Sequence, residues 1–346
     1  MVLIADDLTG ALDSAVHFVT LNHSFEHLLR TTSSEGRAWS ISTETRNATP
    51  EVAAHAVKRT LRNHEESLHD TLVFLKLDSA GRGPIAATIL TAAEALKPQA
   101  ILFAPASPHH GRTVVNTHLV VRDIANQQTT IPLRSLFPAE VHHRLAPLPI
   151  APAEELREHM LLALADNRNI FLPDASAAKD LANIVSAAQS LSHRILWAGS
   201  SGLASALART LNEPTQQPVP PATHPLLFCG TRHAVTQLQL RHLRDQRSTS
   251  IVELNLSTTD PAPIRSAVAA KQPTSLLLTG GDTAAFVLSA LAADSITIHG
   301  ELTHGIPWGR IRGGQAQDVI VATKSGGFGD HDALLHAINA LTGTQA

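Results

Sequence analysis

The chain of 346 residues has little cysteine, little charge and no long apolar segment. Its one cysteine, Cys229, excludes an intrachain disulfide and fits a reducing compartment. No apolar run reaches the roughly 18 residues that a membrane span needs, and acids at positions 6 and 7 leave no room for the apolar core of a signal peptide. The net charge of −3 offers no broad positive surface to nucleic acid or anionic membranes. We therefore expect a cytoplasmic protein without nucleic-acid or membrane partners.

The twenty histidines suggest a metal site, but their spacing does not support one. They occur singly or as adjacent pairs such as His109 and His110, and neighbours along a chain rarely converge on one ion. No group of histidine, cysteine and acid has the ligand spacing of a structural zinc site. The sequence therefore predicts no metal site.

Two adjacent carboxylates, Asp6 and Asp7, directly follow a short apolar run at residues 2–4. A Thr-Gly turn comes next, and then apolar residues 12, 16 and 19 at helical spacing. This pattern predicts a buried strand that delivers two acids to a strand–loop–helix junction, where open α/β sheets bind their ligands. The acids suit a hydroxyl-rich ligand, a cation or a proton acceptor. The competing interpretation is a helix cap, for which one acid is enough.

Apolar runs of strand length alternate with helical patterns along the whole chain. In the N-terminal part the predicted strands cover residues 72–75, 101–104 and 195–198. Such alternation predicts an α/β fold with largely parallel sheets. Residues 127–152 have a weaker pattern and are predicted to form loops or short elements.

A proline-rich segment at residues 212–225 predicts a linker between two α/β domains, because five prolines in fourteen residues disfavour both helix and central strand. The predicted domains are residues 1–211 and 226–346. In the second, strands are predicted at residues 226–228, 251–256, 275–278 and 319–322. Helices are predicted near residues 234–244, 263–270, 283–292 and 332–341.

Three apolar runs of the second domain end in glycine-containing turns at residues 229–232, 279–283 and 324–329. Glycines let a backbone approach phosphates closely, and a helix N-terminus adds free N–H groups. Lys324 is placed to contribute a positive charge. The competing interpretation is an ordinary turn capped by Asp282 and Thr283. The standard P-loop, dinucleotide and hydrolase nucleophile motifs are all absent from the sequence.

Taken together, several motifs resemble those of the four-carbon acid sugar kinases. Residues 4–11, Ile-Ala-Asp-Asp-Leu-Thr-Gly-Ala, are similar to the family's opening motif. Residues 76–84, Lys-Leu-Asp-Ser-Ala-Gly-Arg-Gly-Pro, are similar to its Lys-(Ile/Leu)-Asp-Ser-Thr-Leu-Arg-Gly-Asn segment. Pro-Ala-Ser-Pro and Gly-Arg-Thr at residues 105–108 and 111–113 resemble its Pro-Ala-Phe-Pro and Gly-Arg-Thr. The glycine motifs follow in the family's order.

The resemblance implies a sugar-acid-binding N-terminal domain and a nucleotide-binding C-terminal domain, which transfer the γ-phosphoryl group of ATP to a hydroxyl of threonate, erythronate or 3-oxo-tetronate. It implies catalytic roles for Asp7 and Asp78, with the choice of base left open. The residues implied for the sugar acid are Asp6, Arg46, Ser79 and Arg82. The residues implied for ATP are Thr231, Gly280, Gly281, Asp282, Thr283, Gly326 and Gly327. Mg²⁺ would bridge the phosphates, with Asp282 as its partner through water.

The departures from the family pattern lie in the sugar-acid domain. Ala80 and Gly81 replace Thr-Leu, Pro84 replaces Asn and removes an N–H donor, and Ser107 replaces Phe. Two interpretations remain open: an active kinase, or a non-catalytic protein that binds sugar acid and nucleotide in a regulatory role. A homodimer is also left open.

Overall fold

The computed structural model describes residues 1–20, 24–29, 38–68, 71–122, 127–211, 217–257 and 260–344. Strands and helices alternate along these residues. The strands are β1 (Val2–Ala5), β2 (Phe25–Leu28), β3 (Trp39–Ser42), β4 (Val73–Lys76), β5 (Ala100–Ala104), β6 (Arg112–Val115), β7 (His118–Arg122), β8 (Gln128–Pro132), β9 (Leu145–Leu148), β10 (Ile170–Pro173), β11 (Ile195–Gly199), β12 (Pro225–Cys229), β13 (Ser250–Glu253), β14 (Ser275–Thr279), β15 (Ser295–Thr303), β16 (Ile306–Arg312) and β17 (Ile320–Lys324). The helices are α1 (Leu8–Ala15), α2 (Pro50–Asn63), α3 (Glu65–Leu68), α4 (Ile85–Leu96), α5 (Ala153–Ala165), α6 (Ala178–Gln189), α7 (Ser201–Leu211), α8 (Ala234–Gln246), α9 (Ala262–Lys271), α10 (Gly281–Ala290) and α11 (Ala333–Thr342).

The chain forms two compact units, and the first comprises Met1–Asp7 and Thr43–Glu213. Six parallel strands of this unit lie in the order β1-β4-β11-β5-β10-β9. They are short and apolar because helices cover parallel sheets on both faces, and three fully buried phenylalanines, Phe74, Phe103 and Phe171, lie on β4, β5 and β10. A separate antiparallel sheet contains β6, β7 and β8.

The second unit comprises Leu8–Ser42 and Pro214–Ala346. Its strands lie in the order β13-β12-β14-β17-β16-β15-β2-β3. The four neighbouring strands β13, β12, β14 and β17 are parallel. β16 and β15 form an antiparallel hairpin, and β2 pairs antiparallel with β15. Leu227 and Leu277 of the parallel strands share one core with Leu240 of α8 and Trp308 of the hairpin.

The prediction of an α/β fold with largely parallel sheets is confirmed. The units differ from the predicted domain boundaries because residues 8–42 belong with the C-terminal part of the chain. Residues 212–216 of the predicted linker lie outside the described residues, 217–224 form neither helix nor strand, and Pro225 already begins β12. Within the described residues, no helix is both long enough and apolar enough to cross a membrane.

Candidate functional site

Three carboxylates meet at the carboxyl ends of two neighbouring parallel strands. Asp6 and Asp7 directly follow β1, and Asp78 lies two residues after β4. The two strands pair in parallel, with Ala5 opposite Lys76, so the side chains that follow them are brought to the same edge of the sheet. All three aspartates are less than 9% exposed, and the backbone N–H of Asp78 donates a hydrogen bond to Asp6 Oδ2 at 3.2 Å.

Arg46 joins these carboxylates into one cluster. Its Nη1 and Nη2 donate to Asp7 Oδ2 and Oδ1 at 2.8 and 2.6 Å. Nη2 and Nε also donate to Asp6 Oδ1 and Oδ2 at 2.7 and 3.3 Å, and Nε lies 3.6 Å from Asp78 Oδ1. The backbone N–H of Arg46 donates to the carbonyl oxygen of Asp6, which fixes the start of the side chain beside the acids. We call Asp6, Asp7, Asp78 and Arg46 the carboxylate cluster.

The loop after β4 folds around the Asp78 carboxylate. Asp78 Oδ2 accepts hydrogen bonds from the backbone N–H groups of Ala80 and Arg82, at 3.1 and 3.2 Å. The Arg82 side chain adds a bidentate pair, with Nε to Oδ2 at 2.9 Å and Nη2 to Oδ1 at 2.8 Å. Arg82 is 65% exposed at its side chain, whereas Arg46 is 16% exposed. Ser79 lies half-exposed on the same loop.

A glycine and a proline end this loop. Gly83 has φ +87, and a Cβ there would lie 2.7 Å from the carbonyl oxygen of Arg46, so this close approach requires glycine. Pro84 precedes the first residue of α4, where its carbonyl oxygen accepts from the N–H of Thr88. Its missing N–H therefore costs α4 no hydrogen bond within the helix.

Burial and charge act in opposite directions on the acids. Burial raises the pKa of Asp6, and the positive charge of Arg46 offsets part of that effect. Burial also tends to raise the pKa of Asp78, yet the hydrogen bond from Arg82 and the charge of Arg46 lower it well below its usual range. Burial tends to lower the pKa of Arg46, but the three surrounding carboxylates raise it above its ordinary value. Asp78 is therefore a firmly ionised group and a weak proton acceptor.

A second group of predicted residues lies in the C-terminal unit. The strands β12, β14 and β17 are parallel neighbours, with Thr279 opposite both Cys229 and Lys324. The turns that follow these strands are therefore at one edge of the sheet. We call residues 230–233, 280–283 and 325–329 the glycine-rich edge. It includes the first turn of α10 and the residues directly before α8.

Four predicted residues contact one another at this edge. Thr283 Oγ1 accepts from the backbone N–H of Gly230 at 3.0 Å. Gly280 has φ +98, and a Cβ there would lie 3.0 Å from the Cβ of Thr231. A Cβ at Gly326 would lie 2.8 Å from Thr231 Oγ1. Glycine at these two positions leaves room for the Thr231 side chain, and the positive φ of residue 280 also favours glycine there.

The remaining predicted residues surround this contact. Gly281 and Asp282 lie in the first turn of α10, where Asp282 is exposed and Gly280 supplies no side-chain cap. Gly327 lies beside His233, which precedes α8 and accepts from the N–H of Val235 through Nδ1.

Sequence reasoning missed the polar residues of α8 that hold the loop after β17. Thr236 Oγ1 donates to the carbonyl oxygen of Gly326 at 2.6 Å. Gln239 Nε2 lies 3.1, 3.1 and 2.5 Å from the carbonyl oxygens of residues 328, 329 and 330. Both residues are buried, although threonine and glutamine are usually exposed. The signal available in the sequence was the position of Gln239, which lies at the helical spacing of the core-facing residues of α8.

The Lys324 side chain is directed into the protein, whereas its position after an apolar run had suggested a positive charge for a phosphate. Its side chain is fully buried, and Nζ donates to the carbonyl oxygens of Ser325 and Phe328 at 2.8 and 2.9 Å. A further contact reaches Thr236 Oγ1 at 3.4 Å. Lys324 thus supports the glycine-rich edge from inside, and burial lowers its pKa to about 7.

The low pKa of Lys324 predicts a pH dependence of stability. The pKa is about 7 in the folded protein and ordinarily 10.5, so between these values the unfolded chain binds more protons and the free energy of unfolding rises with pH. We expect Lys324→Met to remove this rise, as measured by urea unfolding between pH 7 and pH 9.0. The range ends at 9.0 because that is the ordinary pKa of a thiol such as that of Cys229. Lys271→Met, at an exposed lysine, is the control and should keep it. An equally steep rise in Lys324→Met would contradict the assignment.

Two family models match the chain. The model described as a sugar-binding N-terminal domain matches residues 1–207, and the model described as a nucleotide-binding C-terminal domain matches residues 262–334. The first match contains the whole carboxylate cluster. The second contains the loops after β14 and β17 of the glycine-rich edge.

Full-length relatives carry a kinase name. The D-threonate kinase of Bordetella bronchiseptica is 28% identical, over 98% of this chain and 96% of the relative. The D-threonate kinase of Salmonella typhimurium is 25% identical, over 98% of this chain and 97% of the relative. These similarities extend over both units.

Solved structures share the fold. A Haemophilus influenzae protein has a TM-score of 0.71 at 20% identity, with 99% of this chain and 100% of that chain covered. A Bordetella bronchiseptica structure, described as a domain-swapped dimer with bound citrate, has a TM-score of 0.50 at 25% identity, with 99% and 98% covered.

Proposed function

Because the chain belongs to the four-carbon acid sugar kinase family, we propose that it transfers the γ-phosphoryl group of ATP to a hydroxyl of a four-carbon sugar acid. The carboxylate cluster carries the proposal, since three buried acids held by one arginine suit a ligand rich in hydroxyl groups. Among threonate, erythronate and 3-oxo-tetronate, D-threonate is the first to test because the similar kinases carry its name. We extend to this chain the dimer described for the Bordetella structure.

We assign the two arginines different roles. Arg46 has Nε, Nη1 and Nη2 engaged with carboxylates and is mostly buried, so its role is to hold the acids in place. Arg82 is largely exposed and bonds to a single carboxylate. Its planar guanidinium is therefore the better partner for the carboxylate of the sugar acid. We assign Ser79, on the same loop, to a hydroxyl of the substrate.

We assign Asp7 as the proton acceptor for the attacking hydroxyl. A general base must be able to take a proton, and the lowered pKa of Asp78 makes that carboxylate unsuited to the task. Each oxygen of Asp7 accepts a hydrogen bond from Arg46, which holds the carboxylate in a fixed orientation beside the other two acids. Asp78 would then position Arg82, and Asp6 would bond a further hydroxyl.

We assign the glycine-rich edge to ATP. The first turn of α10 offers backbone N–H groups without a side-chain cap, which suits a phosphate. Gly280 and Gly326 both lie against Thr231, so the turns of this edge are held close together. Mg²⁺ bound with ATP would neutralise phosphate charge, and the exposed Asp282 is placed to bond its water shell.

ADP release from Mg-ATP with a panel of threonates, erythronates and oxo-tetronates tests the proposal. We expect turnover with one acid, and none in Gly281→Val, whose branched side chain would occupy the phosphate space at the start of α10. The melting temperature of Gly281→Val serves as the folding control. Full activity in a folded Gly281→Val would contradict the ATP site. No ADP release with any acid of the panel, with ATP binding intact, would favour the non-catalytic binding protein.

A further inference from the structure

Three potential metal ligands converge on the surface of the C-terminal unit, apart from the residues assigned to ATP. His242 lies on α8, and His331 and Asp332 directly precede α11. His242 Nε2 lies 2.8 Å from Asp332 Oδ1, and His331 Nδ1 lies 3.5 Å from the same oxygen. The two imidazole rings are 4.0 Å apart between centroids. One ligand atom from each residue lies within 4.8 Å of the other two.

The orientation of Asp332 points to a ligand and not to helix capping. Asp332 occupies the residue before α11, where an aspartate ordinarily accepts a hydrogen bond from an N–H of the first turn. Its side chain makes no such bond. The carboxylate is directed to the two imidazoles instead.

We propose that His242, His331 and Asp332 bind Zn²⁺ or a similar imidazole-binding dication. Ligand atoms at about 2.0–2.2 Å from one ion lie at most about 4.4 Å apart, so the present spread closes with small side-chain movements. Two imidazoles and one carboxylate leave further coordination positions to water, as in zinc sites with three protein ligands. Mg²⁺ prefers oxygen ligands, so the ion that accompanies ATP would not fill this site.

The site would connect α8 to the loop of the glycine-rich edge. Gln239, about one turn before His242 on α8, already contacts the carbonyl oxygens of residues 328–330. His331 and Asp332 follow that loop directly. A bound ion would add a second link between the same two segments. Sequence spacing did not predict the site because its ligands come from two distant segments.

Calorimetric titration of the full chain with ZnCl₂ in the absence of ATP tests the site. We expect the wild type to bind one equivalent of Zn²⁺ at this site, with a higher affinity than that of its other histidines. His242→Gln and Asp332→Asn should each lower the affinity for that equivalent of Zn²⁺. Loss of a residue that only supports a metal ligand lowers affinity about 10- to 100-fold, and we expect a larger loss here. Co²⁺ in place of Zn²⁺ should give visible absorption bands in the wild type that both variants lose.

The matched control is His336→Gln, which removes an exposed imidazole on α11 close by in the sequence. It should bind Zn²⁺ like the wild type. Asp332 is partly exposed, so Asp332→Asn keeps the test valid if His242→Gln fails to fold. The proposal is overturned if the wild type binds no stoichiometric Zn²⁺, or if a folded Asp332→Asn binds it unchanged.

Discussion

Replacing Arg46 by alanine is expected to lower the free energy of unfolding by about 3–5 kcal/mol at pH 7 and to abolish phosphoryl transfer, because breaking a buried ion pair leaves uncompensated charge. Arg46 donates to both Asp6 and Asp7 and lies beside Asp78. Urea unfolding and ADP release measure the two effects. A folded Arg46→Ala with wild-type stability and turnover would show that the cluster does not depend on this arginine.

The loss in Arg46→Ala should also depend on pH. Burial already raises the pKa of Asp6 in the folded protein, and without Arg46 it rises further. A carboxyl with a raised folded pKa contributes stability below its ordinary pKa of about 4 and loses it as pH rises through the folded value. The deficit against wild type should therefore be smaller near pH 4 than at pH 7.

Two variants distinguish the specific effect of losing Arg46 from a general loss of stability. Arg82→Ala leaves Asp78 with Arg46 and two backbone N–H groups, so it should cost less stability than Arg46→Ala while raising KM for the sugar acid. Arg46→Lys keeps one positive charge but loses the fork that bonds two carboxylates at once. We expect it to be more stable than Arg46→Ala and still weakly active.

Asp7→Asn should lower kcat by about 10²–10⁴-fold, the usual contribution of a general base, with the Kd for ATP unchanged. Asparagine keeps the shape of the side chain but can accept only one of the two bonds from Arg46, so the free energy of unfolding is measured beside kcat. Asp78→Asn removes the bidentate partner of Arg82 and should chiefly raise KM for the sugar acid. Steady-state kinetics over both substrates measure this split.

The two aspartate variants control for each other, since both remove one buried charge from the same cluster. If Asp78→Asn lost kcat while Asp7→Asn kept it, the roles of the two acids would be reversed. Equal losses of kcat in both would mean that the cluster acts as one unit and that no single base can be assigned.

Much of the sheet was predictable because parallel strands are continuous apolar runs. Residues 276–278 and 101–103 are fully or almost fully buried and carry no polar interruption. The hairpin of β15 and β16 was missed, since β15 contains a bulge near Gly300 and β16 contains a proline at 307. β2 was missed for a similar reason: its buried His27 is paired with Ser40 Oγ at 2.9 Å, a contact that no local pattern reveals.

Site residues were predictable where they directly follow an apolar run of strand length. Asp6 and Asp7 stand directly after an apolar run, so their position in the sequence was enough to predict them, whereas Asp78 entered as a site residue through family resemblance. Arg46 entered only through family resemblance, because it lies in a loop without a distinctive pattern. The inward direction of Lys324 was not predictable, since a lysine after a strand looks the same whether it faces a ligand or the core.

The grouping of residues 8–42 with residues 214–346 has a consequence for biosynthesis. This segment leaves the ribosome among the first residues, yet β2 pairs with β15, whose residues are made near the end. Ser295 and Glu26 share a hydrogen bond at 2.6 Å across a separation of 269 positions. Contacts so far apart form slowly, and unpaired strand edges invite aggregation in the interval. β2 must therefore remain without its partner β15 through most of translation, and a fragment cut at the proline-rich segment would lack part of its own sheet.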